Sequence, residues 1–370
     1  MQLLKHDLPT PVLLVNLDDL ESNIAKLQTA ASSARKQLRP HVKAHKCVEI
    51  ARRQIHAGAV GVCVATLAEM ELMTSAGIGV LLTTPVASPV KTELIAEWIR
   101  AGAHIRAVVD HAFQVRLYQD SAARAGITIP LLVDLDVGDH RTGIPCDERA
   151  VALALEVESL PNLRFAGLQA YSVSGSHTEG WEARRAHSVA AVSQALPIQK
   201  ELLSRGMDAR TLTGGSTGTW DIDLAIPEFT ELQAGSYALM DVAYRKIGGV
   251  PFAPAMTVLA TVVSASHDRF VTVDAGYKSF ATDRPFGPEA VGLCDLRWQW
   301  AGDEHGILHF ENGPRTLEAG DRLEFLVPHC DPTVNLYDRI VACRGDRVEA
   351  VGPLKPPTLE AAPVLVSIAC

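Results

Sequence analysis

Aromatic side chains are scarce in this 370-residue sequence, at 5% of the chain, and no apolar run is long enough to cross a bilayer. A membrane partner is therefore not expected. Basic surplus is missing too: 34 Lys and Arg stand against 43 Asp and Glu, a formal net charge of −9. Nucleic acid is bound through excess positive charge, so it is not an expected partner either. The seven cysteines (47, 63, 146, 294, 330, 343 and 370) are odd in number and contain no Cys-x-x-Cys pair, which reads as mostly reduced, buried thiols. Cys47 and Cys330 stand apart because they adjoin the motifs described below. The opening stretch MQLLKHDLPTPVLLVNLDD has only a short apolar segment, followed by acids and without a small-residue cleavage pattern. Neither a signal peptide nor an anchor is expected there, and the cytoplasm is the expected location. Internal repeats and low-complexity segments are absent as well.

What is present is an ordinary globular balance, 47% hydrophobic and 21% charged, in a chain long enough for one large domain and a smaller one. From about residue 38 to 238, short β-branched or apolar runs alternate with longer helical patterns. The runs are LRPHVK (38–43), VGVCVAT (60–66), VLLTT (80–84), IRAVVD (105–110), PLLVDLDV (130–137), RFAGLQAY (164–171), TLTGG (211–215) and TELQAG (230–235). Stretches between them, such as LAEMELMTSAG and RAVALALEVESL, have apolar spacing closer to 3.6 than to 2. Strand and helix repeated in this way predict an α/β fold with a closed (β/α)8 TIM barrel, an open doubly wound sheet being the alternative. Lys43, Thr66, Asp110, Asp136, Tyr171, Gly214 and Gly235 fall at or just past strand C-terminal ends, the rim where such barrels carry chemistry. After about residue 245 the texture changes to VLATVVSAS, RFVTVDAG, HGILHFE, DRLEFLVPH and RIVACRGDRVEAV, which predicts a C-terminal antiparallel β domain. The run PVLLVNL (11–17), outside the barrel count, is a candidate partner for that sheet, and a helix is expected from Asp18 or Asp19. The expected division is a barrel over 18–245 and a β domain from 1–17 and 246–370.

Five places carry candidate chemistry. Lys43, in RPHVKAHK, would project into the barrel mouth. Burial and the cationic neighbours Arg39, His41, His45 and Lys46 favour a neutral amine able to attack an aldehyde, against the alternative of a solvated lysine in a basic loop. TLTGGSTGTW is a Gly-rich turn running from a strand toward a helix, and its successive N–H groups at Gly214, Gly215 and Ser216 can cradle a phosphate. Gly235, Ser236 and Tyr237 end the eighth run, beside the seventh, where barrels often hold phosphate. Arg141, in DVGDHRTGI, could reach the mouth or pair with Asp139 or Asp136; Gln169 and Tyr171 could line a flat ring or pack in the core. In LVPHCDPTVNLYD, His329 and Asp331 are two apart, so an extended backbone would aim both at one divalent ion, a polar turn being the alternative.

Together RPHVKAHK, DVGDHRTGI, TGGSTGT, the Gly-Ser-Tyr strand end and HCDPT resemble the fold-type III, alanine-racemase-type pyridoxal-phosphate enzymes. Within them the chain is similar to D-threonine aldolases, 3-hydroxy-D-aspartate aldolases and metal-dependent D-serine dehydratases, over nearly its whole length. The resemblance implies a head-to-tail homodimer with pyridoxal 5′-phosphate and a divalent metal, Mn²⁺ first, then Co²⁺, Zn²⁺ or Mg²⁺. It makes Lys43 the lysine that joins the cofactor and Arg141 the arginine at its phenolic oxygen; Gln169 and Tyr171, by their place at a strand end, would then be candidate contacts of its ring. Gly214, Gly215, Ser216, Gly235, Ser236 and Tyr237 become the phosphate cradle, and His329 and Asp331 the metal pair, His329 also a candidate base. The implied reaction is retro-aldol cleavage of a D-β-hydroxy amino acid, of the D-threonine or D-3-hydroxyaspartate type, to glycine or a similar amino acid plus an aldehyde. The dehydratases usually carry His-x-Cys where this chain has His329-Cys330-Asp331, which favours the aldolase. Dehydration by β-elimination is the alternative, followed by a racemase using Tyr277 as a second base and a non-catalytic pyridoxal-phosphate carrier.

Overall fold

The computed structural model describes residues 3–311 and 316–354; Cys370 and the rest of the stretch 355–370, like residues 1–2, lie outside the described residues. The first strand, β1 (Val12–Asn16), leads straight into the helix Leu17–Ser33. The Asn16 side chain accepts from the backbone N–H groups of Asp18 and Asp19 and fixes that start. Eight parallel strands follow: β2 (Gln37–Leu38), β3 (Val62–Val64), β4 (Val80–Leu82), β5 (Ile105–Val109), β6 (Ile129–Asp136), β8 (Leu163–Ala170), β9 (Leu212–Gly214) and β10 (Glu231–Leu232). The two-residue β7 (Ile144–Pro145) pairs only with β6. Each of the eight overlaps one of the runs expected from the sequence, although β2 shares only Leu38 with the run 38–43, whose end, Val42–Ala44, turns into a 3-10 helix.

The hydrogen-bonded order β2-β10-β9-β8-β6-β5-β4-β3 is closed by a parallel bridge between His41 and Cys63. Strands buried on both faces need apolar residues at every position, which is why these runs do not alternate. Outward residues such as Val62 and Val64 join the main core under the helices. The residues of opposite parity, Cys63, Leu81, Val108, Leu132 and Ala166, form a cluster of their own that fills the barrel. Polar side chains also join one another from strand to strand, from the N-terminal end of the barrel toward its mouth. Arg39 pairs with buried Glu231 at 2.9 Å; Thr213 also donates to Glu231, and Gln233 donates to Thr213 and to Gln169. Gln169 in turn donates to Asp134 at 2.8 Å.

The second sheet is built on β1 and β11 (Met256–Ser264), which pair antiparallel. With them lie β12 (Phe270–Val273), β13 (Glu289–Ala290), β14 (Leu296–Trp300), β15 (Gly306–Phe310), β16 (Arg322–Leu326), β17 (Arg339–Arg344) and β18 (Arg347–Pro353). β1 thus joins this sheet as expected, with a parallel seam against β17 inside an otherwise antiparallel arrangement. β14, LRWQW, was not among the runs read from the sequence; its Trp298 and Trp300 pack edge to face at 5.4 Å on the half-buried side.

Candidate active site

A cavity of about 430 Å³ opens at the C-terminal ends of the barrel strands and is walled on its far side by the loop around Arg284 and the turn at His329. Lys43, Arg141, Gln169, Tyr171, Gly215, Ser216, Gly235, Ser236, His329 and Asp331 all line it, so candidates more than two hundred residues apart in sequence meet. Gly214 and Tyr237 do not. A Cβ on Gly214 would sit 2.1 Å from the Ala170 carbonyl oxygen, so this glycine allows β9 to approach β8. Tyr237 is fully buried, with Gln54 donating to its hydroxyl and Phe252 packed edge to face at 5.6 Å. Its contribution to the turn is its backbone N–H, which donates to Thr217, so the expected cradle role of its side chain is corrected to a core role.

At one end of the cavity the turn Gly215-Ser216-Thr217 faces Gly235 and Ser236. Gly215 has φ +71°, and a Cβ there would strike the Asp223 carboxylate at 2.5 Å; a Cβ on Gly235 would strike the His41 carbonyl at 2.6 Å. Asp223 holds this turn from behind, accepting from the Ser216 N–H and the Thr219 hydroxyl, and burial pushes its carboxyl up to about 6. A bare-backbone cradle with hydroxyls, an amine at Lys43 and an arginine near an aromatic ring fit a phosphorylated pyridoxal. Arg141 lies 5.4 Å from the Tyr171 ring centre. The acids that could have captured it are engaged elsewhere: Asp136 with His140, and Asp139 with Ser172, Val173 and Ser174.

Lys43 differs from expectation in its charge. Burial opposes the ammonium, but Asp331, with Nζ to Oδ2 at 3.9 Å, and then Tyr171 outweigh it, so its pKa is raised. The neighbours expected to neutralise Lys43 point away. Arg39 pairs with Glu231 and Lys46 with Glu69, while His45 turns inward to Gln54. Burial and then Lys43 hold His41 well below its ordinary value.

His329 and Asp331 converge, but not from an extended strand. His329 is the extended residue that starts a short helix, Cys330–Val334, and Asp331 lies in its first turn. Their Nε2 and Oδ2 atoms are 3.2 Å apart, and the other oxygen of Asp331, Oδ1, is buried without a hydrogen-bond partner. A carboxylate oxygen left so exposed to no donor fits a cation. Nδ1 of His329 meets Asp283 at 2.7 Å, the carboxylate–histidine arrangement that orients a metal ligand. Burial opposes ionisation of Asp331, yet His329 and Lys43 hold its carboxyl down at about 2. Among the described residues no group of three or more His, Cys, Asp or Glu side chains gathers as a metal site, so a metal here would rest on two protein ligands. Cys330, between them, is buried and donates to Met240 and Asp241; Cys47 is buried as well, and burial raises both thiols.

Several pocket residues carry no sequence signal strong enough to single them out. Thr83, the first threonine of the run VLLTT, meets His41 at 3.1 Å. His177 follows β8 in SGSH; burial, then Arg284, lower its imidazole to about 4, and its ring stacks on Tyr244 at 4.5 Å. Asp283 and Arg284 sit in TDRPFG, a loop of the second sheet with no periodicity to read. Tyr277, in contrast, is 45% exposed, stacks on Trp300 and does not line the cavity. No helix among the described residues is long and apolar enough to cross a membrane.

Residues 15–239 match the alanine racemase N-terminal domain family, and residues 255–343 match a serine dehydratase domain family. A D-threonine aldolase of Arthrobacter sp. is 38% identical over 92% of this chain and 91% of its own length. A 3-hydroxy-D-aspartate aldolase of Paracoccus denitrificans is 32% identical over 95% of this chain and 92% of its own. Among solved structures, D-threonine aldolase from Filomicrobium marinum superposes with a TM-score of 0.92 at 34% identity, covering 96% of this chain and 97% of that one.

Proposed function

Because the chain belongs to the alanine-racemase-type family of pyridoxal-phosphate-dependent enzymes, among its D-threonine aldolase and D-serine dehydratase relatives, we propose that it is a divalent-metal-dependent lyase cleaving D-β-hydroxy amino acids. The products are glycine, or a similar amino acid, and an aldehyde. The observation that carries this reading is the pair His329 and Asp331, with its partnerless oxygen, 3.9 Å from the Lys43 amine. A metal at that point lies beside the carbon chain of an amino acid whose nitrogen end is held at Lys43.

In this reading Lys43 forms the covalent link to pyridoxal phosphate, Gly215, Ser216, Gly235 and Ser236 hold the phosphate, and Arg141 faces the phenolic oxygen. The bound pyridoxal supplies an electron sink for the pair left on Cα when Cα–Cβ breaks. A divalent ion on His329 and Asp331 would make the substrate's β-hydroxyl more acidic. His329 has no lone pair to spare as a base, with Nε2 turned to Asp331 and Nδ1 to Asp283. His177 is the remaining imidazole on that side. Held neutral by burial, it accepts the hydroxyl proton as the C–O bond of the substrate becomes the carbonyl of the aldehyde. Lys43, displaced from the cofactor and carrying as ammonium a proton from the incoming amino group, stabilised by Asp331, is the group that would return a proton to Cα. An aspartate at 331 in place of a thiolate favours the harder oxygen-bound ion suited to polarising a hydroxyl.

Product analysis tests the reading. Metal-dependent glycine and acetaldehyde from D-threonine support it. Ammonia and a keto acid from D-serine or D-3-hydroxyaspartate would move the chain to β-elimination, the reaction suggested by the match of residues 255–343.

A further inference from the structure

Among the described residues three Lys or Arg side chains line the cavity, Lys43, Arg141 and Arg284. The first two have tasks in the proposed reaction and come from the barrel; Arg284 comes from the opposite wall, on a loop of the second sheet. Its guanidinium is bound in an unusual way. One terminal nitrogen lies 3.2 Å from Nε2 of His177, a neutral ring, and its Nε is buried with no hydrogen-bond partner. The nearest carboxylate, Asp283, is 3.6 Å from that Nε, and its oxygen is already taken by His329 at 2.7 Å. A permanently charged fork of donors, built to grip a carboxylate with two bonds, thus lines the cavity with one terminal nitrogen on a neutral acceptor and its buried Nε–H unpaired. Every amino-acid substrate brings a carboxylate on Cα.

We propose that Arg284 anchors the substrate's α-carboxylate, and that engaging the carboxylate withdraws the guanidinium from His177, leaving the Nε2 lone pair of His177 open to take a proton. The inference rests on the use of this site by amino acids stated above. It adds an order to events: the base is capped until the carboxylate end of the substrate is seated. A cap of this kind keeps the imidazole from acting on ligands that lack a carboxylate.

The test uses the pyridoxal-phosphate-loaded protein, with glycine and glycinamide titrated against the visible spectrum of the bound cofactor in wild type, Arg284→Gln and Arg284→Lys. A charged hydrogen-bonded pair is at stake, so Arg284→Gln is expected to weaken glycine about 10- to 100-fold while leaving glycinamide unchanged. Arg284→Lys should recover part of the difference. Thermal melts and circular dichroism of both variants report whether the loop still folds; Arg284 is at the cavity rim and the lysine variant keeps its charge. Equal effects on glycine and glycinamide, or none on either, overturn the proposal. With D-threonine and D-3-hydroxyaspartate, KM should rise by similar factors. A rise confined to D-3-hydroxyaspartate would assign Arg284 to the second carboxylate and overturn the role on Cα. If neither compound is turned over, the lyase reading fails, and the glycine comparison still decides the role of Arg284.

Discussion

Lys43, in the 3-10 turn Val42–Ala44 beyond the first barrel strand, and Asp331, in the first turn of the helix Cys330–Val334, face each other across the cavity with Nζ and Oδ2 3.9 Å apart. The contact brings together two chemistries that have separate genetics. Lys43→Ala is expected to abolish both the visible absorbance of bound pyridoxal and turnover, because among the described residues no other lysine lines the cavity. Asp331→Ala and His329→Ala should keep the absorbance and lose metal stimulation. Absorbance spectra before and after dialysis, alongside activity with Mn²⁺ or a chelator, separate the two classes.

Asp283 reaches the metal pair only through His329, at 2.7 Å from Nδ1. Asp283→Asn is therefore expected to lower metal affinity about 10- to 100-fold, the usual cost of losing a carboxylate behind a metal histidine, without changing cofactor binding. Titrating metal into the apoprotein while following activity gives the half-saturating concentration. An unchanged value would limit Asp283 to loop structure.

Removing the imidazole at 177 addresses proton transfer alone. His177→Gln is expected to reduce kcat about 10²- to 10⁴-fold, the range for a positioned general base, with little change in KM. If kcat stays within a few-fold of wild type, the hydroxyl proton leaves by another route, such as a water.

Burial raises the Asp134 carboxyl to about 6, against the hydrogen bonds from Gln169 and Thr142 and with Asp110 nearby adding to the rise. A carboxyl whose folded value lies above its unfolded one favours the native state fully at pH below about 4. That contribution is lost as pH climbs to about 6, corresponding to roughly 3 kcal/mol once the group is ionised. Asp134→Asn removes the ionisation while keeping the shape. It should melt higher than wild type at pH 8, with the gap closing by pH 4. A gap independent of pH would mean that Asp134 does not titrate in this range.

Much of this architecture was legible because barrel strands are buried on both faces and announce themselves as apolar runs, as in VLLTT and PLLVDLDV. The rim position of Tyr171 followed from the end of its strand, whereas Lys43 reaches the mouth from a 3-10 turn five residues beyond Leu38. Other strand-end residues proved to be scaffolding: Thr66 starts the helix Leu67–Ser75, and Asp110 accepts from Gly143. What local sequence could not reveal was contact between distant loops. His177, Asp283 and Arg284 acquire meaning only when the second sheet closes over the barrel, and no periodicity encodes that closure. The Lys43 environment was misjudged for the same reason. Its cationic neighbours in sequence turn away, and the residue that governs its charge is Asp331, 288 positions on.

The closure itself depends on Asp241, fully buried where the barrel ends. One of its oxygens accepts from the Tyr244 N–H at 2.9 Å and starts the helix Val242–Lys246; the other accepts from the Cys330 N–H at 3.0 Å and the thiol at 3.2 Å. One carboxylate thus ties the last barrel segment to Cys330, the residue between His329 and Asp331. Replacing it with alanine leaves two buried N–H groups unpaired, each costing about 1–3 kcal/mol, so Asp241→Ala should be markedly less stable to denaturant. Asp241→Asn keeps one accepting oxygen, so it can satisfy the donors on one side only and should fall between wild type and the alanine variant. Because the turn carrying His329 and Asp331 loses its anchor, metal affinity should fall together with stability in both variants. If the asparagine variant loses stability but binds metal as wild type does, the turn is held by its own helix, and Asp241 serves the barrel alone.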